Sequence, residues 1–200
     1  NFLEINNVDF IVLSPGIKVE QTKLKKFLIK NRRKIITDID LFYMLNPEVK
    51  TIVVTGTNGK STSCKIIEHV LRKNKIKALI GGNIGKPILS LNLKKNPLII
   101  IEASSFQLFY SRFIRPNYAL ILNISNDHLD WHNSRDNYIN SKLKIFALQK
   151  KNHLAFINNK MLLKKFRSNK YLGKIKFINT EKIKKIKSKI NNDYLKLDLN

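Results

Sequence analysis

Short, wholly apolar runs recur along this chain, separated by stretches long enough for helices, and that rhythm constrains the fold more than any other feature. Thr51-Ile52-Val53-Val54-Thr55, Lys77-Ala78-Leu79-Ile80, Pro97-Leu98-Ile99-Ile100-Ile101, Tyr118-Ala119-Leu120-Ile121-Leu122 and residues 153–157 all read as strands. None alternates apolar with polar residues, so both faces of each strand must be covered, as in a parallel sheet layered by helices. Helices are predicted over 61–74 and 135–149. In such an α/β sheet the ligand sits beyond the carboxyl ends of the strands. Upstream, residues 8–13 read as a buried strand closed by the turn Ser14-Pro15-Gly16. A basic amphipathic helix follows to about Asn31, then a short strand at Ile35-Ile36. Asp38 or Asp40 is expected to cap a helix carrying Leu41, Phe42 and Leu45, which stops at Asn46-Pro47. A domain boundary is placed there.

The chemistry-bearing residues fall at the predicted strand ends. Gly56-Thr57-Asn58-Gly59-Lys60-Ser61-Thr62 joins a strand to a helix. Glycines there let backbone N–H groups face phosphate oxygens, and the helix N-terminus adds the positive end of its dipole. Lys60 would reach the terminal phosphates, while Ser61 or Thr62 could ligate Mg²⁺. The strict motif wants Gly where Val54 stands, so the glycine pattern is shortened. Glu102 closes an apolar strand, the place for a carboxylate partner of the magnesium. Asp127-His128, followed by Asp130 and His132, favours a polar site at the next strand end over core packing. Gly81-Gly82-Asn83-Ile84-Gly85 is either a second backbone cradle or a plain glycine turn, and Ser104-Ser105-Phe106-Gln107 offers hydroxyls and an amide. By spacing alone Lys142 is an ordinary surface lysine. Cys64, inside the helix after the loop, is read as packing rather than as a nucleophile.

Charge invites a different function. Lys and Arg number 38 against 14 Asp and Glu, a net charge of +24, and such an excess is the usual footprint of a nucleic-acid binder. Yet Lys, Ile and Asn together supply 83 of the 200 residues, the signature of A/T-rich codons rather than of selection for binding. The densest run, Lys182 to Lys189, carries Ile183, Ile186 and Ile190 at helical spacing, which reads as a solvated helix face. No apolar run approaches the roughly 20 residues that span a bilayer. No secretory leader is expected, and one cysteine builds no disulfide framework. A cytoplasmic protein without membrane insertion or nucleic-acid partner is expected.

Together these motifs resemble the Mur ligase family, ATP-dependent enzymes that add amino acids to the peptidoglycan precursor. The resemblance runs over residues 8–158, through Ser14-Pro15-Gly16-Ile17, Asp38-Ile39-Asp40-Leu41-Phe42, residues 55–62, Gly82-Asn83-Ile84-Gly85, residues 102–108, residues 123–130 and Tyr138 to Lys142. The family's phosphate loop has the same shortened glycine pattern. Gly-Asn-Ile-Gly and Ser-Ser-Phe-Gln-Leu match the D-glutamate-adding branch. The resemblance implies a parallel-sheet P-loop ATPase-like central domain at 47–200, incomplete, preceded at 1–46 by the end of a Rossmann-like domain that binds the UDP-substrate. The C-terminal amino-acid-binding domain is expected to be absent, and the 200-residue fragment inactive by itself.

Roles follow from the resemblance position by position. Gly56, Thr57, Asn58, Gly59, Lys60, Ser61 and Thr62 would bind ATP. Ser61 and Glu102 would hold one Mg²⁺, and His128 would serve a second. Lys142 matches a lysine that reacts with CO₂ to give a carbamate, a further metal ligand. Ser14, Pro15, Gly16, Asn83, Ser104 and Gln107 match positions near the UDP-sugar. Lys60, Glu102, His128 and Lys142 form the implied catalytic set. The implied partners are UDP-N-acetylmuramoyl-L-alanine and D-glutamate, joined through an acyl phosphate by a monomeric enzyme. The alternatives are a family relative with a different acceptor and, ranked last, a basic P-loop module that binds nucleic acid.

Overall fold

The structure, a computed structural model, describes residues 8–178. The Lys-rich helix face expected near 182–189 lies outside these residues. In chain order the elements are β1 (Ile11–Val12), α1 (Lys25–Lys30), β2 (Ile35–Ile36), α2 (Asp38–Leu45), β3 (Thr51–Thr55), α3 (Lys60–Lys73), β4 (Ala78–Gly82) and β5 (Leu98–Glu102). There follow α4 (Ser105–Tyr110), β6 (Tyr118–Ile121), the short α5 (Leu129–His132), α6 (Arg135–Leu143), β7 (Leu154–Ile157), α7 (Lys160–Ser168) and β8 (Lys174–Phe177). Among the described residues no helix is long and apolar enough to cross a membrane.

Six strands form one sheet in the order β4-β5-β3-β6-β7-β8, every pair parallel, as the apolar runs predict. Successive side chains of a strand point to opposite faces, and here both faces are buried. Val53, Ile99, Ile101, Ala119 and Ile121 pack with Phe42 and Tyr43 of α2 and with Leu143 of α6. Val54 and Ile100 face the other way and meet Cys64 of α3. Cys64 is fully buried, and that burial, with Glu102 nearby, pushes its thiol up to about 12. It is an inert packing residue, as the sequence suggested. β1 and β2 pair in a separate two-stranded parallel sheet over Leu13, Val19, Leu28 and Ile35.

The start of α2 departs from expectation. Its N-cap is Thr37, not Asp38 or Asp40: Thr37 Oγ1 accepts from Asp40 N at 3.2 Å, and Thr37 N donates to Asp40 Oδ2 at 3.1 Å. Asp40 is the third helical residue of a capping box, and its carboxylate does more than close the helix. Oδ1 accepts from Ser111 Oγ (2.7 Å), Arg112 N (2.9 Å) and Phe113 N (2.8 Å). A buried carboxylate thus fastens α2 to the chain leaving α4, and α2 fills the core of the larger sheet.

Other differences are local. The helix expected over 135–149 ends as α6 at Leu143 and continues as a 3₁₀ turn over Lys144–Phe146. The basic helix before Asn31 is a 3₁₀ turn, Val19–Gln21, followed by the short α1. The elements α4, α7 and β8 were not anticipated. Asp40→Ala leaves four buried or half-buried donors, Thr37 N, Ser111 Oγ, Arg112 N and Phe113 N, without this acceptor. It is expected to cost about 3 kcal/mol in a denaturant titration.

Candidate active site

The phosphate loop leaves the end of β3 and enters α3. Gly59 stands at the helix N-cap with φ 79°, left-handed backbone that favours glycine, and no side chain caps the helix. The first N–H groups of α3 are therefore open to an anion. At Gly56 a Cβ would lie 3.0 Å from Leu122 Cβ and 3.3 Å from Asn123 N, so only glycine lets the chain pass the end of β6 without a shift. Asn123 holds the loop from that side. Its Oδ1 accepts from Thr57 N (3.1 Å) and Asn58 N (2.9 Å), and its Nδ2 donates to Asn58 O (2.9 Å). Sequence reading assigned no role to Asn123. The available signal was its place just beyond β6, next to β3 in register, where Thr55 pairs Ile121.

Lys60 Nζ donates to Gly56 O (3.1 Å) and Thr57 O (2.8 Å). Ser61 is half-buried in the first turn of α3 and Thr62 is exposed beside it. Lys142, expected at the surface, is instead 2% exposed. Helix α6 carries it under the loop, where Nζ donates to the same Gly56 O at 2.8 Å. The Tyr138 ring lies beneath the ammonium, 4.6 Å away, and Tyr138 OH bonds Thr57 Oγ1 at 2.9 Å. Burial first, then repulsion from Lys60, lowers the Lys142 pKa to about 7, against a weaker pull from Asp127. Spacing could not reveal this, because depth under the loop is set by how α6 packs.

Glu102 ends β5 as expected, 1% exposed. Oε1 accepts from Asn83 Nδ2 at 2.9 Å, while Oε2 is buried with no partner. The glycine turn that delivers Asn83 is built for contact: at Gly82, φ 101°, a Cβ would sit 2.4 Å from Glu102 O. Ser104 caps α4 and Gln107 answers it, with Gln107 Oε1 accepting from Ser104 N (3.1 Å) and Ser104 Oγ accepting from Gln107 N (3.3 Å). Gln107 is buried and Ser104 half-buried.

The Asp127 to His132 segment divides. His128 has φ 52°, is exposed, and lies 3.4 Å from Asp127 Oδ2. His132 is not the polar group that its neighbours suggested. It is 1% exposed, stacked on Phe106 and edge-on to Phe109, Trp131 and Tyr138. Burial, then Lys142, lowers its pKa to about 4, and both ring nitrogens lack partners. The Ser14-Pro15-Gly16 turn is exposed and reaches this segment: Trp131 Nε1 donates to Gly16 O at 3.2 Å, and Lys18 Nζ donates to Asp130 O and Asn133 Oδ1.

Lys60 and Lys142 are thus brought to one carbonyl, and Asn83 to Glu102. No hydrogen bond or ion pair joins Glu102, His128 and Lys142 to one another, and the described residues contain no group of three His, Cys, Asp or Glu side chains able to hold a metal. A lone buried carboxylate oxygen does suit Mg²⁺, which takes few protein ligands beside phosphate oxygens and water.

A glycine loop between a central parallel strand and a helix, with a buried acid on the neighbouring strand and a lysine aimed at the loop, defines an α/β P-loop domain. Residues 54–198 match the Mur ligase middle domain. The chain belongs to the Mur ligase family. It is 40% identical over 152 residues to a UDP-N-acetylmuramoylalanine–D-glutamate ligase of Thermotoga sp. (strain RQ2), covering 76% of this chain and 35% of that protein. It is 41% identical over 153 residues to the enzyme so named from Rickettsia bellii, covering 76% and 33%. The chain therefore spans about a third of the length of these curated relatives. Among solved structures, MurF ligase from Thermotoga maritima in complex with ADP superposes with a TM-score of 0.55 at 18% identity, covering 87% of this chain and 42% of that one. FolC of E. coli in complex with ADP gives 0.50 at 16%, covering 75% and 50%. At such identities the likeness is one of fold.

The Lys142 environment has a consequence for stability. Between about pH 7 and the ordinary lysine value of 10.5 the unfolded chain binds a proton at Lys142 that the folded chain does not, so this residue makes stability rise with pH across that window. Below pH 7 both states are protonated and its contribution is flat. Lys142→Met is expected to be less steep than the wild type between pH 7 and 10 when denaturation midpoints are measured at each pH.

Proposed function

We propose that this chain is the ATP-binding portion, with the adjoining end of the UDP-substrate-binding domain, of an enzyme that ligates D-glutamate to UDP-N-acetylmuramoyl-L-alanine in cytoplasmic peptidoglycan precursor synthesis. Residues 1–46 belong to the first unit and 47–200 to the second, with α2 packed into the second unit's core. The substrates are those named for relatives about 40% identical. The observation that carries the site assignment is Lys142, buried with its Nζ 2.8 Å from Gly56 O.

The implied first step is attack of the L-alanyl carboxylate on the γ-phosphate of ATP, giving an acyl phosphate and ADP. The amine of D-glutamate then attacks the acyl carbon and expels phosphate. Bringing a carboxylate to a triphosphate is opposed by charge. Lys60 and the open N–H groups of α3 supply part of the compensation, and the glycines at 56 and 59 allow the close approach. Two Mg²⁺ ions supply further charge neutralisation when bound, with Glu102 and Ser61 as holders of one, and His128 and a Lys142 carbamate as holders of the other. Glu102 Oε2, buried and unpartnered, supports the first assignment. Carbamate formation joins the neutral amine to CO₂ with loss of a proton. A lysine whose pKa is lowered to about 7 supports it, since its neutral form is then far more accessible at neutral pH than that of an ordinary lysine. Asn83, which bonds Glu102, is assigned with Ser104 and Gln107 to the UDP-sugar, and the Ser14-Pro15-Gly16 turn to its approach. The enzyme is read as a monomer without nucleic-acid partner.

In the protein that carries this sequence, ADP release measured with ATP should require both UDP-N-acetylmuramoyl-L-alanine and D-glutamate. Equal release with L-glutamate, L-lysine or diaminopimelate would assign another acceptor, and release with either substrate alone would refute the reading. The 200-residue chain alone should give no turnover. Lys142→Ala should lower the rate by about a hundredfold or more, with partial rescue by a small carboxylate such as formate. Wild-type rates in this variant would remove Lys142 from the site.

A further inference from the structure

A second convergence of positive charge lies away from the phosphate loop. A cleft of about 600 Å³ opens between the turn after α1 and the end of α4, lined by Lys30, Arg32, Arg33, Arg112 and Lys144 and, among the described residues, by no carboxylate. Its volume falls within the usual range for small-molecule sites. None of the phosphate-loop residues lines it.

Composition accounts for abundant lysine, but not for this cluster. Arginine is scarce, at seven residues, and Arg32, Arg33 and Arg112 all face this one cleft. The ion pairs formed among the described residues are Glu68 with Arg72, Asp127 with His128, and Asp136 with Lys165. None of these pairs involves Lys30, Arg32, Arg33, Arg112 or Lys144. The charge of Asp40 reaches Lys144, but its carboxylate is committed to Thr37, Ser111, Arg112 and Phe113.

Part of the site is preorganised. Arg112 donates to Arg33 O, which bridges the two walls, and Lys144 Nζ donates to Phe109 O and, at 3.2 Å, to Ser111 O. Burial first, with repulsion from Arg32 and Arg112 and against the pull of Asp40, lowers the Lys144 pKa to about 8. Lys30, Arg32 and Arg33 are exposed and line the same cleft. Guanidinium forks match phosphate oxygens in pairs. Several cations around a small concavity favour a compact multivalent anion over a polymer.

We propose that this cleft is a second anion site, separate from the phosphate loop, that takes a diphosphate group and ties the two-stranded sheet to the six-stranded one when occupied. Inorganic pyrophosphate and the diphosphate of a nucleotide share this chemistry, and both serve as probes. Calorimetric titration is done on the protein carrying Lys60→Ala, which weakens the phosphate loop. Pyrophosphate should bind more tightly than orthophosphate. Adding Lys30→Gln, Arg32→Gln and Arg33→Gln should weaken pyrophosphate by about tenfold or more. Arg33→Gln alone should weaken it by about threefold, which keeps the test decisive should the combined variant fold poorly. ADP equal to pyrophosphate would mean that only the diphosphate is read, and tighter ADP would assign a nucleoside diphosphate. Absence of pyrophosphate binding, or binding indifferent to these substitutions, overturns the proposal. So does tighter binding of single-stranded RNA through the same residues at equal ionic strength, since the partner would then be a polymer.

Discussion

One backbone carbonyl organises the site. Gly56 O accepts from Lys60 at 3.1 Å and from Lys142 at 2.8 Å, so two ammonium groups from different helices converge on a single dipole. Their mutual repulsion, added to burial, is why Lys142 holds its proton weakly. The arrangement depends on glycine at 56, because a side chain there would press on Leu122 and Asn123. It depends equally on β3 lying between β5 and β6, since those neighbours supply Glu102 on one side and Asn123 on the other. The phosphate loop is thus shaped by three strands and two helices as well as by its own seven residues.

The aromatic cluster extends that control. Tyr138 touches Thr57 through its hydroxyl and Lys142 through its ring, and His132 packs edge-on against it. His132 is held neutral by burial at ordinary pH, so it adds no further charge beside Lys142. The same segment receives the N-terminal part of the chain through Trp131, Asp130 and Asn133. Asp40 makes the second tie, from α2 to the chain after α4. Two polar anchors therefore fix how the Ser14-Pro15-Gly16 turn stands relative to the strand ends.

Much of this was legible beforehand. Apolar runs without alternation announced a parallel sheet, and the strands of residues 51–55, 98–102 and 118–121 fall within a residue or so of the predicted places. The loop and Glu102 were legible because strand–glycine–lysine and strand–carboxylate patterns are local. The capping of α2 was missed because Thr37 and Asp40 act together across three residues, and acidic residues alone looked sufficient. Short α4 was missed because its cap pair, Ser104 and Gln107, reads equally well as ligand-binding side chains. Edge strand β8, Lys-Ile-Lys-Phe, lacks the apolar continuity of the inner strands because less of it is covered.

The sequence by itself determined the class of fold, the strand-end position of the loop and the acid, and, through the resemblance of its motifs, the family. Those features live in short spans where residue type dictates backbone geometry. Only tertiary structure decided the protonation chemistry. Lys142 and His132 are an ordinary lysine and histidine in sequence, and each becomes a weakly basic group because packing removes it from water and sets it beside another cation. The basic cleft is likewise invisible along the chain, since residues 30–34, 112 and 144 meet only when the two sheets dock. Distance in sequence hides electrostatics, because charges interact through space and through the water that folding excludes.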